Sequence, residues 1–123
     1  ALPYTRTIVQ SVANLGVPTI LFGTGTATLL DTMREAGSDV IGADWRIPLD
    51  DAWERIGHDR AIQGNLDPTL LLGPVGRMLE EVDDVLFRAA GRPGHIFNLG
   101  HGILPETPVE HVQALAHYVH TRQ

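Results

Sequence analysis

The sequence contains no cysteine and no lysine, so all nine of its basic residues are arginine. Without cysteine the chain forms no disulfide bonds, thiolate nucleophiles or cysteine-ligated zinc sites. Without lysine it cannot form the Schiff bases that amine nucleophiles make with carbonyl substrates. A lack of cysteine is common in cytoplasmic proteins, and a cytoplasmic location is our expectation.

Positive charge and long apolar runs are also scarce. The formal net charge is −6, whereas nucleic-acid binding needs a basic stripe that faces the phosphates. No apolar run reaches the roughly 18 residues of a membrane span, and the start shows no signal-peptide pattern. We therefore expect neither a nucleic-acid partner nor a membrane partner.

What the sequence does contain is an alternation of apolar runs and helical patterns. Four short runs, each followed by glycine or a polar turn, are typical of buried parallel strands; they cover residues 18–22, 40–43, 61–65 and 95–99. Apolar residues at helical spacing predict helices between them, at residues 3–15, 27–36, 48–56, 74–89 and 108–121. Thr107, Pro108 and Glu110 predict a capping box at the start of the last helix.

This alternation predicts an α/β fold with parallel strands and right-handed crossovers. A small doubly wound sheet and part of a (β/α)8 TIM-type barrel both satisfy it. A complete barrel needs about 250 residues, and this chain has 123 with four units. Since a four-stranded segment leaves two bare edges, we expect a fragment, or a chain that pairs with another copy or with a missing half.

The carboxyl ends of parallel strands are where ligands bind in such folds. Of the four predicted ends, only the last carries a histidine, His101, which lies between Gly100 and Gly102. An imidazole there can donate to a carboxylate or carry a proton near neutral pH. The structural alternative is a turn histidine that caps the next helix.

Other polar residues are weaker candidates. The glycine-rich segment at residues 22–30 lacks the further residues of dinucleotide and P-loop motifs, so a tight turn is favoured over a phosphate site. Asp44 could orient another group or bond to backbone amides, and Asp67 before Pro68 is typical of a helix N-cap. The histidines of the last helix (His111, His117, His120) are expected on a solvated face rather than in a zinc site.

Three long stretches together resemble the C-terminal half of the uroporphyrinogen decarboxylase family. They are IGADWRIPLDDAWERIG (residues 41–57), AIQGNLDPTLLL (61–72) and HIFNLGHGILPETPVEHVQALAHYVH (95–120). Two further stretches, ALPYTRTIV (1–9) and TILFGTGT (19–26), agree with the same family. The resemblance covers essentially all 123 residues, as one segment of a barrel domain.

The resemblance implies a fold, a reaction and partners. The family forms a single-domain (β/α)8 barrel, usually a homodimer, and uses no metal or organic cofactor. It is a lyase of heme and porphyrin biosynthesis that converts uroporphyrinogen III to coproporphyrinogen III by releasing four molecules of CO2. This chain would supply the last four strands of that barrel.

The resemblance also assigns site residues. The histidine of the family's NLGHG motif is His101, whose role would be to bind a substrate carboxylate, with a part in proton transfer left open. Phe22, Gly100 and Gly102 are not assigned by the resemblance; they stand at predicted strand ends and are our candidates for residues that line the pocket. The family's catalytic aspartate, arginines, tyrosine and serine belong to the N-terminal half, so Asp44 is not that aspartate. We therefore expect the isolated chain to be inactive.

Two alternatives stay open at this point. One is a related cobalamin/zinc methyltransferase of the same superfamily, against which the absence of cysteine argues. The other is a non-catalytic barrel segment that self-associates through its bare edges.

Overall fold

The computed structural model describes residues 1–122, which form helices and parallel strands in alternation. The helices are α1 (Leu2–Val12), α2 (Leu30–Arg34), α3 (Leu49–Ile56), α4 (Val75–Ala89) and α5 (Val109–Thr121). The strands are β1 (Ile20–Phe22), β2 (Val40–Gly42), β3 (Ala61–Leu66) and β4 (His95–Leu99). Short 3₁₀ segments lie at Ala13–Leu15, Ala27–Leu29 and Pro68–Leu72. All four strands and all five helices were therefore predicted correctly, apart from their ends.

The four strands pair side by side in chain order, β1-β2-β3-β4, and every pair is parallel. The helices also follow one another, because α2 contacts α3, α3 contacts α4, and α4 contacts α5. A doubly wound sheet would reverse its strand order at a switch point and place helices on both faces. The observed order is that of a segment of a (β/α)8 barrel, which confirms the predicted fold class.

The core lies between the sheet and helices α2–α5. Its largest fully buried side chain is Trp53 of α3, which is 1% exposed and donates from Nε1 to the Arg60 carbonyl at 2.8 Å. The same core contains strand residues that point toward the helices and the apolar stripes of α4 and α5; they include Ile41, Ile62, Leu66, Met78, Val82, Leu115 and Val119. The apolar faces of the amphipathic helices α3 and α4 are therefore buried in this core.

The opposite face of the sheet is exposed along its two outer strands, β1 and β4. Ile20, Phe22 and Ile96 alternate along their strands with residues that face the helices, and each is more than two-fifths exposed. In a closed barrel this face is the packed interior. No helix within residues 1–122 has the length and apolar character needed to cross a bilayer.

Helix α1 buries none of its residues, and Ile8 on it is 66% exposed.

The predicted capping box at the start of the last helix is wrong. The N-cap residue of α5 is Pro108, with extended backbone and no side-chain cap. Thr107 instead turns its hydroxyl inward, where Oγ1 is buried without a hydrogen-bond partner.

Candidate functional site

His101 follows β4 directly, at the carboxyl end of the sheet. Its side chain is exposed, and Nδ1 lies 3.3 Å from the carbonyl oxygen of Gly102. Gly100, which precedes it, donates its amide to the Leu66 carbonyl at 2.7 Å and so extends the β3–β4 pairing to this point. The imidazole is therefore carried by a fixed strand end and faces solvent.

The two glycines beside His101 have different surroundings. A Cβ added at Gly100 would lie 2.6 Å from the Cβ and 2.8 Å from the Cα of Trp45, closer than such atoms pack. A Cβ added at Gly102 would meet no atom within 4 Å. Glycine at position 100 is therefore needed for close approach of the segment after β2, whereas nothing in the described structure requires it at 102.

Asp44, just after β2, joins two strand ends through its buried carboxylate. The Gly25 amide, from the turn after β1, donates to Oδ2 at 2.8 Å. The Arg46 amide donates to Oδ1 at 2.6 Å, and the Arg46 guanidinium donates to Oδ2 at 2.6 Å. Both roles that the sequence left open for Asp44 are thus combined, since it bonds to backbone amides and orients Arg46.

Hydrogen bonding keeps Asp44 ionised despite its burial. Burial by itself raises the pKa of this carboxyl, but the Gly25 and Arg46 amides and the Arg46 guanidinium outweigh it and lower the pKa below the usual 3.8. Donors that bond to the charged form always act in this direction. Asp44 is therefore a carboxylate at neutral pH, paired with a cation.

Asn65 connects the third strand to the same place, and sequence reasoning missed it. Its side-chain amide donates to the carbonyls of Asp44, at 2.9 Å, and Ile47, at 2.5 Å. A lone asparagine within an apolar strand was the signal that could have identified it, because a buried amide needs partners. Asn65 holds the 44–47 segment against β3.

The glycine-rich turn after β1 is closed by its own residues. Thr26 donates from Oγ1 to the Gly23 carbonyl at 2.6 Å, and Gly25 adopts a left-handed φ of 67°. Because Asp44 already accepts the Gly25 amide, that amide is not offered to a phosphate. The structure favours the tight-turn interpretation of this segment.

The predicted pocket residues are not all brought together. Phe22 ends β1 and its ring lies over Gly42, where an added Cβ would come within 2.8 Å of Phe22 Cδ1. Since β1 and β4 are the two outer strands of the sheet, Phe22 and His101 stand at opposite edges. Gly100 and His101 share one strand end with Trp45, whereas Phe22 could join them only across the interior of a closed barrel.

The remaining polar candidates have structural partners. Asp67 is an N-cap as predicted, and its Oδ1 accepts the Thr69 amide at 2.9 Å. His111 is half-buried with Nδ1 2.6 Å from the Leu71 carbonyl, so its predicted solvent-facing position is wrong, whereas His117 and His120 are exposed. Within residues 1–122, no three histidine, aspartate or glutamate side chains are grouped to hold a metal ion.

Comparison with known proteins supplies the context for this geometry. The family model described as uroporphyrinogen decarboxylase matches residues 1–122. The uroporphyrinogen decarboxylases of Sorangium cellulosum and Koribacter versatilis are 55% identical over 119 residues and 53% identical over 120. Each match covers 97% of this chain and 34% of the relative, so the chain spans about a third of their length.

A solved structure shares the fold. A methyltransferase from Methanosarcina mazei superposes with a TM-score of 0.82 at 26% sequence identity. The superposition covers 98% of this chain and 35% of the methyltransferase. The described sheet and helices therefore occur together within larger proteins.

Proposed function

Because the chain belongs to the uroporphyrinogen decarboxylase family, we propose that it forms the C-terminal part of a barrel that decarboxylates the acetate side chains of uroporphyrinogen. The main support is the family match across residues 1–122, which includes every strand and helix of the structure. The enzyme would be a carboxy-lyase of heme biosynthesis, with uroporphyrinogen as its substrate. The same proposal places this chain in the C-terminal half of its relatives and the complete enzyme in the cytoplasm.

His101 is the residue of this chain that we assign to the substrate. It is exposed at a strand end, where an imidazole N–H can donate to a carboxylate. A hydrogen bond to an ionised carboxylate is stronger than one between neutral groups, so the His101 imidazole would hold a substrate carboxylate well. The contact of Gly100 with Trp45 fixes the backbone that carries the ring.

The rest of the chemistry needs groups outside this chain. In the mechanism that the family resemblance implies, a protonated pyrrole accepts the electrons left by departing CO2, and an aspartate stabilises that cation. Positioning of several groups around one substrate supplies much of an enzyme's rate. We therefore propose that residues 1–123 act only when the remaining barrel strands are present, and that the complete enzyme is a homodimer.

The test is a chimeric enzyme in which residues 1–122 replace the matching third of the Sorangium cellulosum relative. Decarboxylation of uroporphyrinogen is measured anaerobically for the chimera, for its His101→Ala variant and for this chain alone. Loss of one charged hydrogen bond predicts a fall in kcat/KM of about tenfold to a hundredfold in the variant. The isolated chain should be inactive.

A matched control is His120→Ala, because this histidine is also exposed but lies near the end of α5. It should leave kcat/KM unchanged. A folded chimera without activity, beside an active host enzyme, would refute the proposed function. An active chimera that tolerates His101→Ala would refute the role of His101 alone.

A methyltransferase is the second candidate, favoured only by the Methanosarcina mazei structure at 26% identity. The curated relatives at 53–55% identity support the decarboxylase over it. A chimera built into that methyltransferase would decide the matter, because methyl transfer there together with an inactive decarboxylase chimera would favour the second candidate.

A further inference from the structure

We propose that Arg46 is a second carboxylate-binding residue of this site and that Asp44 is the positioning residue that holds its guanidinium in place. This assignment rests on the proposed function and deepens it, because it adds a cation from this chain to the recognition of a substrate rich in carboxylates. The ligand chemistry is a carboxylate side chain of the tetrapyrrole.

The position of Arg46 is the first observation. Arg46 lies two residues after Asp44, and its guanidinium touches the carboxylate that also accepts the Gly25 amide. The cation is thus located beside the turn after β1, at the carboxyl end of the sheet. This is the end where parallel α/β folds bind their ligands.

The orientation of Arg46 is the second observation. Asp44 accepts from one terminal nitrogen, Nη1, and the guanidinium carbon lies 4.9 Å from the centre of the Trp45 ring. A guanidinium has five N–H donors in a planar fork. The Arg46 side chain is still 52% exposed, whereas that of Asp44 is 0% exposed. A buried anion and an aromatic face therefore fix the cation while leaving donors in solvent.

The connection to His101 is the third observation. Trp45 lies between Asp44 and Arg46, and its backbone packs against Gly100, the residue before His101. Arg46 and His101 are therefore each one residue away from the same contact between strand ends. A tetrapyrrole with carboxylates on every ring could bind both residues at once.

Asp44 and Arg46 have different roles because only Arg46 is exposed enough to contact a substrate. Asp44 is buried and acts through Arg46, so asparagine at position 44 would loosen the guanidinium without removing it. Arg46 would contact the substrate itself, and a planar fork that binds a carboxylate with two hydrogen bonds cannot be replaced fully by lysine.

The experiment is a double-mutant cycle in the decarboxylase chimera, which reports coupling between neighbouring residues. Arg46→Ala should raise KM for uroporphyrinogen by about tenfold, the loss expected for one charged hydrogen bond, with a smaller change in kcat. Arg46→Lys should raise KM less. Asp44→Asn should raise KM in the parent chimera but have little further effect in the Arg46→Ala background.

The matched control is Arg92→Ala, which removes the same charge from the segment between α4 and β4, at the opposite end of the sheet. It should leave KM unchanged. Unchanged KM in Arg46→Ala, or equal increases for Arg46→Ala and Arg92→Ala, would overturn the assignment while leaving the active chimera and the proposed function intact. Thermal unfolding of each variant separates a loss of folding from a loss of binding, and Arg46→Ala alone decides the case if Asp44→Asn does not fold.

Discussion

The two flanks of the sheet are packed very differently. On the flank of β2 and β3, helix α3 buries four of its eight residues, including Trp53. On the flank of β1, helix α1 buries none of its eleven, although its apolar residues also recur at helical spacing. The comparison teaches that a stripe of apolar residues indicates which face of a helix can pack against a neighbour. The stripe is buried only where that neighbour is present.

The largest effect is expected when one aromatic side chain is removed from each flank and the losses of stability are compared. Trp53→Ala should lower the free energy of unfolding by about 3–5 kcal/mol, because it leaves a cavity in the core. Tyr4→Ala on α1, where the residue is 78% exposed, should change it by less than about 0.5 kcal/mol. Urea unfolding of the chain at one fixed protein concentration measures both, and similar losses would contradict the difference between the flanks.

The next effect concerns the backbone contact between strand ends. Gly100→Ala should lower the free energy of unfolding by about 1–3 kcal/mol, because the new Cβ overlaps Trp45 and forces the backbone to shift. Gly102→Ala is the matched control, since its Cβ meets open space. In the chimera, Gly100→Ala should also lower kcat/KM by displacing His101. Equal tolerance of both alanines would show that the close approach is not needed.

A smaller effect is a pH dependence of stability at His95 of β4, whose ring centre lies 6.3 Å from that of Trp53. Burial is the larger influence on His95 and lowers its pKa below 6.5, although its Nε2 lies 2.8 Å from the Gly64 carbonyl. Below pH 6.5 His95 therefore binds a proton more readily in the unfolded chain than in the folded chain. The free energy of unfolding falls as the pH falls. Urea unfolding measured between pH 8 and about pH 5 should show a smaller loss of stability at low pH in His95→Gln than in the parent chain. The same dependence of stability on pH in His95→Gln as in the parent chain would contradict the prediction.

The last expected effect is on self-association and concerns the sheet face along the outer strands. Replacing both Ile20 and Phe22, which are 50% and 42% exposed, by serine should reduce self-association of the isolated chain. Light scattering across a range of concentrations measures the mass, which should rise for the parent and stay monomeric for the double variant. Phe87→Ser, on the outer surface of α4, is the control. A parent chain that is monomeric throughout would contradict this expectation.

Much of the fold was predictable because strands and helices differ in apolar periodicity and alternate along the chain. The ends were less predictable, since they depend on tertiary partners. The predicted first strand began at Pro18, but the Thr19 amide bonds to the Asp39 carboxylate at 2.8 Å rather than to a neighbouring strand. Thr107 has the right residue type for a cap, yet packing turned its hydroxyl inward.

The candidate site was predictable only in part. His101 could be identified from the glycines around it and from the family resemblance, and its role is still a prediction. The bonds that link Gly25, Asp44 and Asn65 could not, because each joins residues about twenty positions apart and depends on strand register. Sequence periodicity reports the local element, whereas side-chain convergence at strand ends is a property of the assembled sheet.

The chain-order pairing of the strands also bears on how the molecule folds. Each strand pairs with its immediate successor, as Ile20 does with Val40 and Ile62 with His95. Every pairing therefore closes only the loop of one crossover, and short loop closures cost little chain entropy and speed folding. A sheet whose order follows the chain can assemble one crossover at a time, without waiting for a pairing between distant segments.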